Sequence, residues 1–268
     1  MPDETKRTIQ LLNEDLYGEH DAIVYYLTHA WTVARQYGSQ ILEIANDEMR
    51  HFKWLGHTIS QLGGTPDLAV PPMTPASDLA SALEKDVQAE IHAIDQYRQH
   101  ADVIAEPRVS ALLRRIAVDE QDHLRQFRDL LDQSQGQDVL AARPSEEVAP
   151  VAEQLQKTIH KEYQQMLSYL WHSFMEDHAH DLGLDMEERS IDEMRHMGWI
   201  GKRLGMMGVA PDLASEGARP SLTEGEVDEA KLYHEVRHWA EQQMPTLVPT
   251  IDRILAHEDY HLQTAPGQ

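Results

Sequence analysis

The chain has 268 residues, no cysteine, and 46 Asp and Glu against 23 Lys and Arg, for a net charge of −23. Without thiols there can be no disulfide, Cys-ligated zinc, rubredoxin-type iron or thiol catalysis, and the acidic balance argues against nucleic acid, which needs a basic footprint. No apolar run approaches the ~20 residues of a membrane span, and the polar start from Met1 to Arg7 has no apolar signal stretch, so a cytoplasmic protein with no membrane partner is expected.

In chain order, apolar residues recur in steps of three and four, the inward stripe of bundle helices. The first stripe runs Leu12, Leu16, Glu19, Ile23, Tyr26, Ala30, Val33, and the second Ile41, Ile44, Glu48, His51, Leu55, Ile59, Leu62. Gly63-Gly64-Thr65-Pro66 stops the second helix, and the proline-rich stretch from Thr65 to Ser77 suits a crossover rather than a hairpin. The third stripe runs Leu83, Val87, Glu90, Ile94, Tyr97, Ala101, Ile104. After a break at Pro107 the fourth runs Leu113, Ile116, Glu120, His123, Phe127, Leu130. The pattern then repeats. Glu48-Met49-Arg50-His51 returns as Glu193-Met194-Arg195-His196, Leu62 to Leu68 as Met207 to Leu213, Ile116 to Leu124 as Ile254 to Leu262, and Glu19 to Leu27 as Glu162 to Leu170. The fold class is therefore all-α, with two tandem four-helix bundles at residues 1–135 and 150–268 joined by a Gln-, Ser-, Gly- and Pro-rich linker at 136–149. Helices of the second bundle are expected near 151–178, 183–208, 222–243 and 246–263.

Each stripe of the first repeat is apolar except at its centre, where it carries Glu19, then Glu48 with His51, then Glu90, then Glu120 with His123. A Glu and a His three residues apart share one helix face, and on a buried face an unpaired carboxylate costs several kcal/mol or more. Four carboxylates and two imidazoles suit two divalent cations, whose charge the four Glu balance. The second repeat offers Glu162, Glu193, His196, Glu258 and His261. Its third helix leaves a choice: Glu229 is the preferred ligand, with Glu226 and Glu235 as rivals. Tyr26 and Tyr169 lie two turns beyond Glu19 and Glu162 on the same stripe, where their hydroxyls can reach a ligand carboxylate or simply close the bundle core.

The chain resembles the ferritin-like superfamily, and bacterioferritin within it. Leu12-Asn13 through Glu19, Ala22-Ile23, Tyr26 and His29 look like that family's first helix, Ser190 to His196 like its second, and Glu90 with Ala93-Ile94 and Tyr97 like its third. The resemblance implies two metal ions per bundle, iron with manganese possible, and ferroxidase-type oxidation of Fe(II) by O2 or H2O2, with a glutamate bridging the metals. Such activity serves iron handling or defence against oxidative stress. Met49 and Met194 match the position of that family's haem-ligating methionine, but haem is not expected, because methionine is an ordinary helix former there. Alternative readings are a dimanganese catalase, a rubrerythrin-like peroxidase, and a non-catalytic metal-binding stress protein. A homodimer is a possible assembly.

Overall fold

The computed structural model describes residues 2–33, 35–74, 76, 78–134, 148–176, 182–213 and 222–264. It divides into two compact units, Met1–Leu140 and Ala141–Gln268. The first holds α1 (Asp3–Thr32), α2 (Arg35–Gln61), α3 (Leu79–Val103) and α4 (Pro107–Ser134); the second holds α5 (Ala149–Met175), α6 (Leu182–Met206), α7 (Leu222–Gln243) and α8 (Val248–Gln263), with a 3-10 turn over Pro245–Leu247 leading into α8. Both units are four-helix bundles, as the periodicity implies. All but the last two residues of the expected linker lie outside the described residues. Among the described residues no helix is long and apolar enough to cross a membrane.

In the first unit α1 packs on α2 and on α3, and α4 packs on α3 and on α2, so α2 and α3 sit on a diagonal. Tyr26 on α1 reaches Glu90 on α3 while Tyr97 on α3 reaches Glu19 on α1, so α1 and α3 run antiparallel. α2, which follows α1 across a tight connection, therefore runs parallel to α3, and the chain between them must travel the length of the bundle. The stretch from Gly63 to Asp78 makes that crossing. Asn13 of α1 pins it, accepting from Asp67 N at 2.8 Å and donating to Thr65 O at 3.4 Å, while Leu68 is buried below. The second unit repeats the device, with Gln156 accepting from Asp212 N at 3.1 Å and Leu213 buried.

Local chemistry sets the helix ends. Asp78 caps α3 by accepting from Ser81 N at 2.8 Å. Pro107 opens α4, where its missing N–H costs nothing. α2 ends in a Schellman motif: Gly64 N donates to Ile59 O at 2.9 Å and Gly63 N to Ser60 O at 2.8 Å, with Gly63 at φ 78°. α6 ends identically, with Val209 N to Leu204 O, Gly208 N to Gly205 O, and Gly208 at φ 74°. At that φ a side chain strains the backbone by roughly 1–2 kcal/mol. Gly63→Ala and Gly208→Ala should therefore each lower unfolding free energy by about 1 kcal/mol, read as a shift of the urea midpoint at constant slope.

Candidate metal centre

The first bundle brings all six sequence-assigned residues together in its core: Glu19 is 4 % exposed, Glu48, Glu90 and Glu120 1 %, His123 2 % and His51 0 %. They form two overlapping groups whose ligand atoms lie within 4.8 Å of one another, Glu19, Glu48, His51, Glu120 and Glu48, Glu90, Glu120, His123. Glu48 and Glu120 belong to both. His51 Nδ1 is 3.2 Å from Glu48 Oε2 and 3.0 Å from Glu120 Oε1, while His123 Nδ1 is 2.9 Å from Glu48 Oε1 and 3.0 Å from Glu120 Oε2. Each shared carboxylate thus turns one oxygen to each imidazole, which is how a bridging ligand serves two cations. Glu19 Oε2 completes one side at 3.6 Å from His51 Nδ1 and Glu90 Oε2 the other at 4.0 Å from His123 Nδ1.

These donors suit a cation better than they suit each other. One imidazole nitrogen offers a single hydrogen or lone pair, yet each Nδ1 faces three carboxylates. One oxygen of each of the four glutamates (Glu19 Oε2, Glu48 Oε1, Glu90 Oε2, Glu120 Oε1) has no hydrogen-bond partner despite full burial. Where Nδ1 and oxygen approach without donor alignment, both lone pairs can address a common third point. In the metal-free state protons must fill the gap. Burial, and after it the charges of neighbouring glutamates, push the Glu19 and Glu90 carboxyls well above their usual range. Burial opposes charge on the imidazoles too, but Glu19, Glu48 and Glu120 override it, raising His51 strongly and His123 to about 12. Glu48 is the exception: burial would raise it, yet His123 and His51 hold it far below the ordinary carboxylate range.

A second layer aims these ligands. Tyr26 Oη donates to Glu90 Oε1 at 2.6 Å, and Tyr97 donates to Glu19. Asp119 accepts from His51 Nε2 at 3.3 Å, and Asp47 lies 3.6 Å from His123 Nε2, so both rings turn Nδ1 inward. The sequence reading passed over Tyr97, Asp47 and Asp119. Their signal was present: an Asp directly precedes the Glu of three Glu-x-x-His motifs, and each of these two holds the other helix's histidine. His29, ten residues beyond Glu19, meets Asp86 at 2.9 Å from its Nδ1, while its buried Nε2 has no hydrogen-bond partner.

In the second bundle Glu162, Glu193, His196 and Glu258 form one compact buried group. His196 Nδ1 lies 3.1 Å from Glu162, 3.4 Å from Glu193 and 3.0 Å from Glu258. Tyr233 donates to Glu162 and Tyr169 to Glu226. These bonds repeat Tyr97–Glu19 and Tyr26–Glu90, so Glu226 is the positional counterpart of Glu90. Glu229, one turn further along α7, is 1 % exposed with neither carboxylate oxygen partnered, and Glu235 is exposed. His261 Nδ1 stands 3.3 Å from Glu193 and 3.9 Å from Glu258, outside the compact group. Met49 is 6 % exposed and Met194 is half-buried.

Residues 9–136, the span that holds the two overlapping groups, match the family model of the ferritin-like domain. Residues 9–136 are a ferritin-like domain. No curated protein matches the chain. Among solved structures, it is similar to bacterioferritin from Desulfovibrio desulfuricans, described with its di-iron site in different catalytic states, at 24 % identity over 49 % of this chain and 82 % of that one, TM-score 0.47. A ferritin-like di-iron-carboxylate protein from Bacillus anthracis is 30 % identical over 49 % and 99 % of the two chains, TM-score 0.46. Mycobacterium tuberculosis bacterioferritin is 23 % identical over 48 % and 86 %, TM-score 0.45.

A cavity of about 790 Å³ between α1 and α3 of this ferritin-like bundle reaches Glu19, Glu48, Glu90 and Glu120 from a rim carrying Glu14 and Glu84. Small residues open it, among them Ala22 and Ala89. The counterparts on α5 and α7 are Gln165 and Gly225, and the Gln165 amide lies where a Gly225 Cβ would be, 2.0 Å away. The same groove position is therefore filled in the second bundle.

Two outcomes follow from the first site. Since burial raises Glu19 and Glu90 and neighbouring carboxylates raise His51 and His123, the metal-free centre takes up protons that a cation must displace; metal uptake should release protons, and affinity should fall on acidification by about tenfold per pH unit for each proton released. Titration calorimetry in buffers of different ionisation enthalpy measures both. Asp119→Asn, which takes the charge from behind His51, should weaken metal binding by roughly 10–100-fold, read by competition with a chromophoric chelator.

Proposed function

We propose that the first bundle is a ferroxidase-type centre: it binds two Fe(II) ions as substrate and oxidises them with O2 or H2O2. The observation that carries this reading is the double membership of Glu48 and Glu120, each turning one oxygen to His51 and the other to His123. Two ions bound side by side supply two electrons together, the number that takes O2 to H2O2 or H2O2 to water.

The chain's own residues would do the rest. Glu19 with His51 would hold one ion and Glu90 with His123 the other, Glu48 and Glu120 lying between. Tyr97 and Tyr26 each occupy one oxygen of Glu19 and Glu90 and leave the other oxygen turned to the centre. The acidic rim of the cavity would concentrate Fe(II) at its mouth, and its depth gives a small oxidant a path to the four carboxylates. Four carboxylates at one centre favour this reading over a dimanganese catalase, which usually has fewer. The counterparts Glu162, Glu193, His196 and Glu258 support metal binding in the second bundle as well.

The test is aerobic addition of Fe(II) to the metal-free protein. Rapid ferric absorbance with O2 or peroxide consumption is expected. Glu48→Ala with His51→Ala should abolish the fast phase assigned to the first bundle, by at least the ~100-fold that loss of preorganised charge costs. Absence of a fast phase in the unaltered protein would end the ferroxidase reading.

A further inference from the structure

We propose that the second bundle holds one divalent metal ion, in the group Glu162, Glu193, His196 and Glu258, and that the Arg189 guanidinium supplies to Glu226 the positive charge that a second ion supplies to Glu90. The proposal rests on the two-ion reading of the first bundle.

Arg189 occupies the position that Ile44 holds in the first repeat, and both are buried, at 3 % and 1 % exposure. A guanidinium in a core position is tolerable only if its charge and its five N–H groups are met. Here all of them are. Nε donates to Asp185 Oδ2 at 3.0 Å, Nη1 to Glu226 Oε1 at 3.2 Å and to His261 O at 3.0 Å, and Nη2 to Thr264 O at 2.9 Å and Thr264 Oγ1 at 2.7 Å. Two of these partners, His261 O and Thr264 O, are carbonyls at the end of α8, where the helix dipole favours a cation. The side chain is fixed in place from three helices.

The consequence falls on the donors that would hold a second ion. Glu226 Oε1 accepts from both Arg189 and Tyr169, whereas among the described residues Glu90 Oε1 accepts from Tyr26 alone. His261 Nδ1 stands 3.9 Å from Glu258, against 3.0 Å between His123 and Glu120. The set Glu193, Glu226, Glu258, His261 does not close into a compact group, while its counterpart Glu48, Glu90, Glu120, His123 does. A fixed positive charge beside Glu226 also repels a dication there. On the retained side donors increase instead. Glu229, at the position of Ala93, brings two unpartnered oxygens into the core, and after burial it is Glu162 and then Glu258 that push its carboxyl up. His196 keeps an outer partner, His257 Nδ1 at 3.0 Å from its Nε2, where His51 has Asp119.

The experiment counts ions. The full chain and its Glu48→Gln/Glu120→Gln variant are loaded with Fe(II) under argon, desalted, and measured by elemental analysis and native-state mass spectrometry. Three ions per full chain and one per variant are expected. Two ions remaining in the variant would overturn the proposal, since Glu229 would then be offsetting Arg189 in a dinuclear centre; none remaining would overturn it as well. Equal counts in chain and variant would instead sink the two-ion reading of the first bundle, with the variant's own count still judging this one. Adding Arg189→Ile to the variant should raise its count from one to two. An unchanged count in a protein with native helical circular dichroism would remove Arg189 from the account, and if that substitution does not fold, the first two counts decide alone.

Discussion

Four carboxylates in the dry middle of a four-helix bundle are the constraint on which the rest of this structure depends. A fully buried Leu or Ile contributes ~1.5–3 kcal/mol, whereas one buried charge without a partner costs several. The apolar residues above and below cannot absorb four such charges, so something positive must meet them. Without metal the centre takes up protons, shared among Glu19, Glu90, His51 and His123. That state leaves buried oxygens unpartnered. Two divalent cations would satisfy the same donors without protons, and Tyr26, Tyr97 and Asp119 hold those donors in place for them.

The repeat separates what the scaffold requires from what the centre does. Both bundles keep the Schellman glycine, the amide side chain that pins the crossover, and the pair of tyrosine bonds between first and third helix. At and around the centre, Ile44 becomes Arg189, Asp119 becomes His257, Ala22 becomes Gln165 and Ala93 becomes Glu229. The same helix pairs pack in both bundles, although α7 and α8 are shorter than α3 and α4. Together these changes put a guanidinium beside Glu226, add the Glu229 carboxylate to the core, and fill a groove position that stands open in the first bundle.

The helices were legible because each carries an apolar stripe long enough to average out single exceptions, and the six residues of the first centre stood out as polar interruptions of those stripes. The register of α7 was not legible. Glu226, Glu229 and Glu235 all lie on a polar helix after a connection of changed length, so spacing alone favours different residues depending on which neighbour anchors the count. Tyr233 resolves it by bonding Glu162 as Tyr97 bonds Glu19. Asp47 and Asp119 escaped because their part-exposed side chains look like ordinary surface acids in a strongly acidic chain. Only the crossing of α2 and α4 shows each of them behind the other helix's histidine. Arg189 escaped for the opposite reason: a lone arginine in a helix reads as surface, and its five partners come from three separate segments.

The most direct test is a crystal structure of the iron-loaded protein with anomalous data collected at the iron edge. Two peaks in the first bundle, about 3.5–4 Å apart and both within bonding distance of Glu48 and Glu120, are the expected result. Clear density for all six side chains with no peak among them, the glutamates and histidines closed on one another despite excess iron, would show that protons alone satisfy this core and would contradict the account.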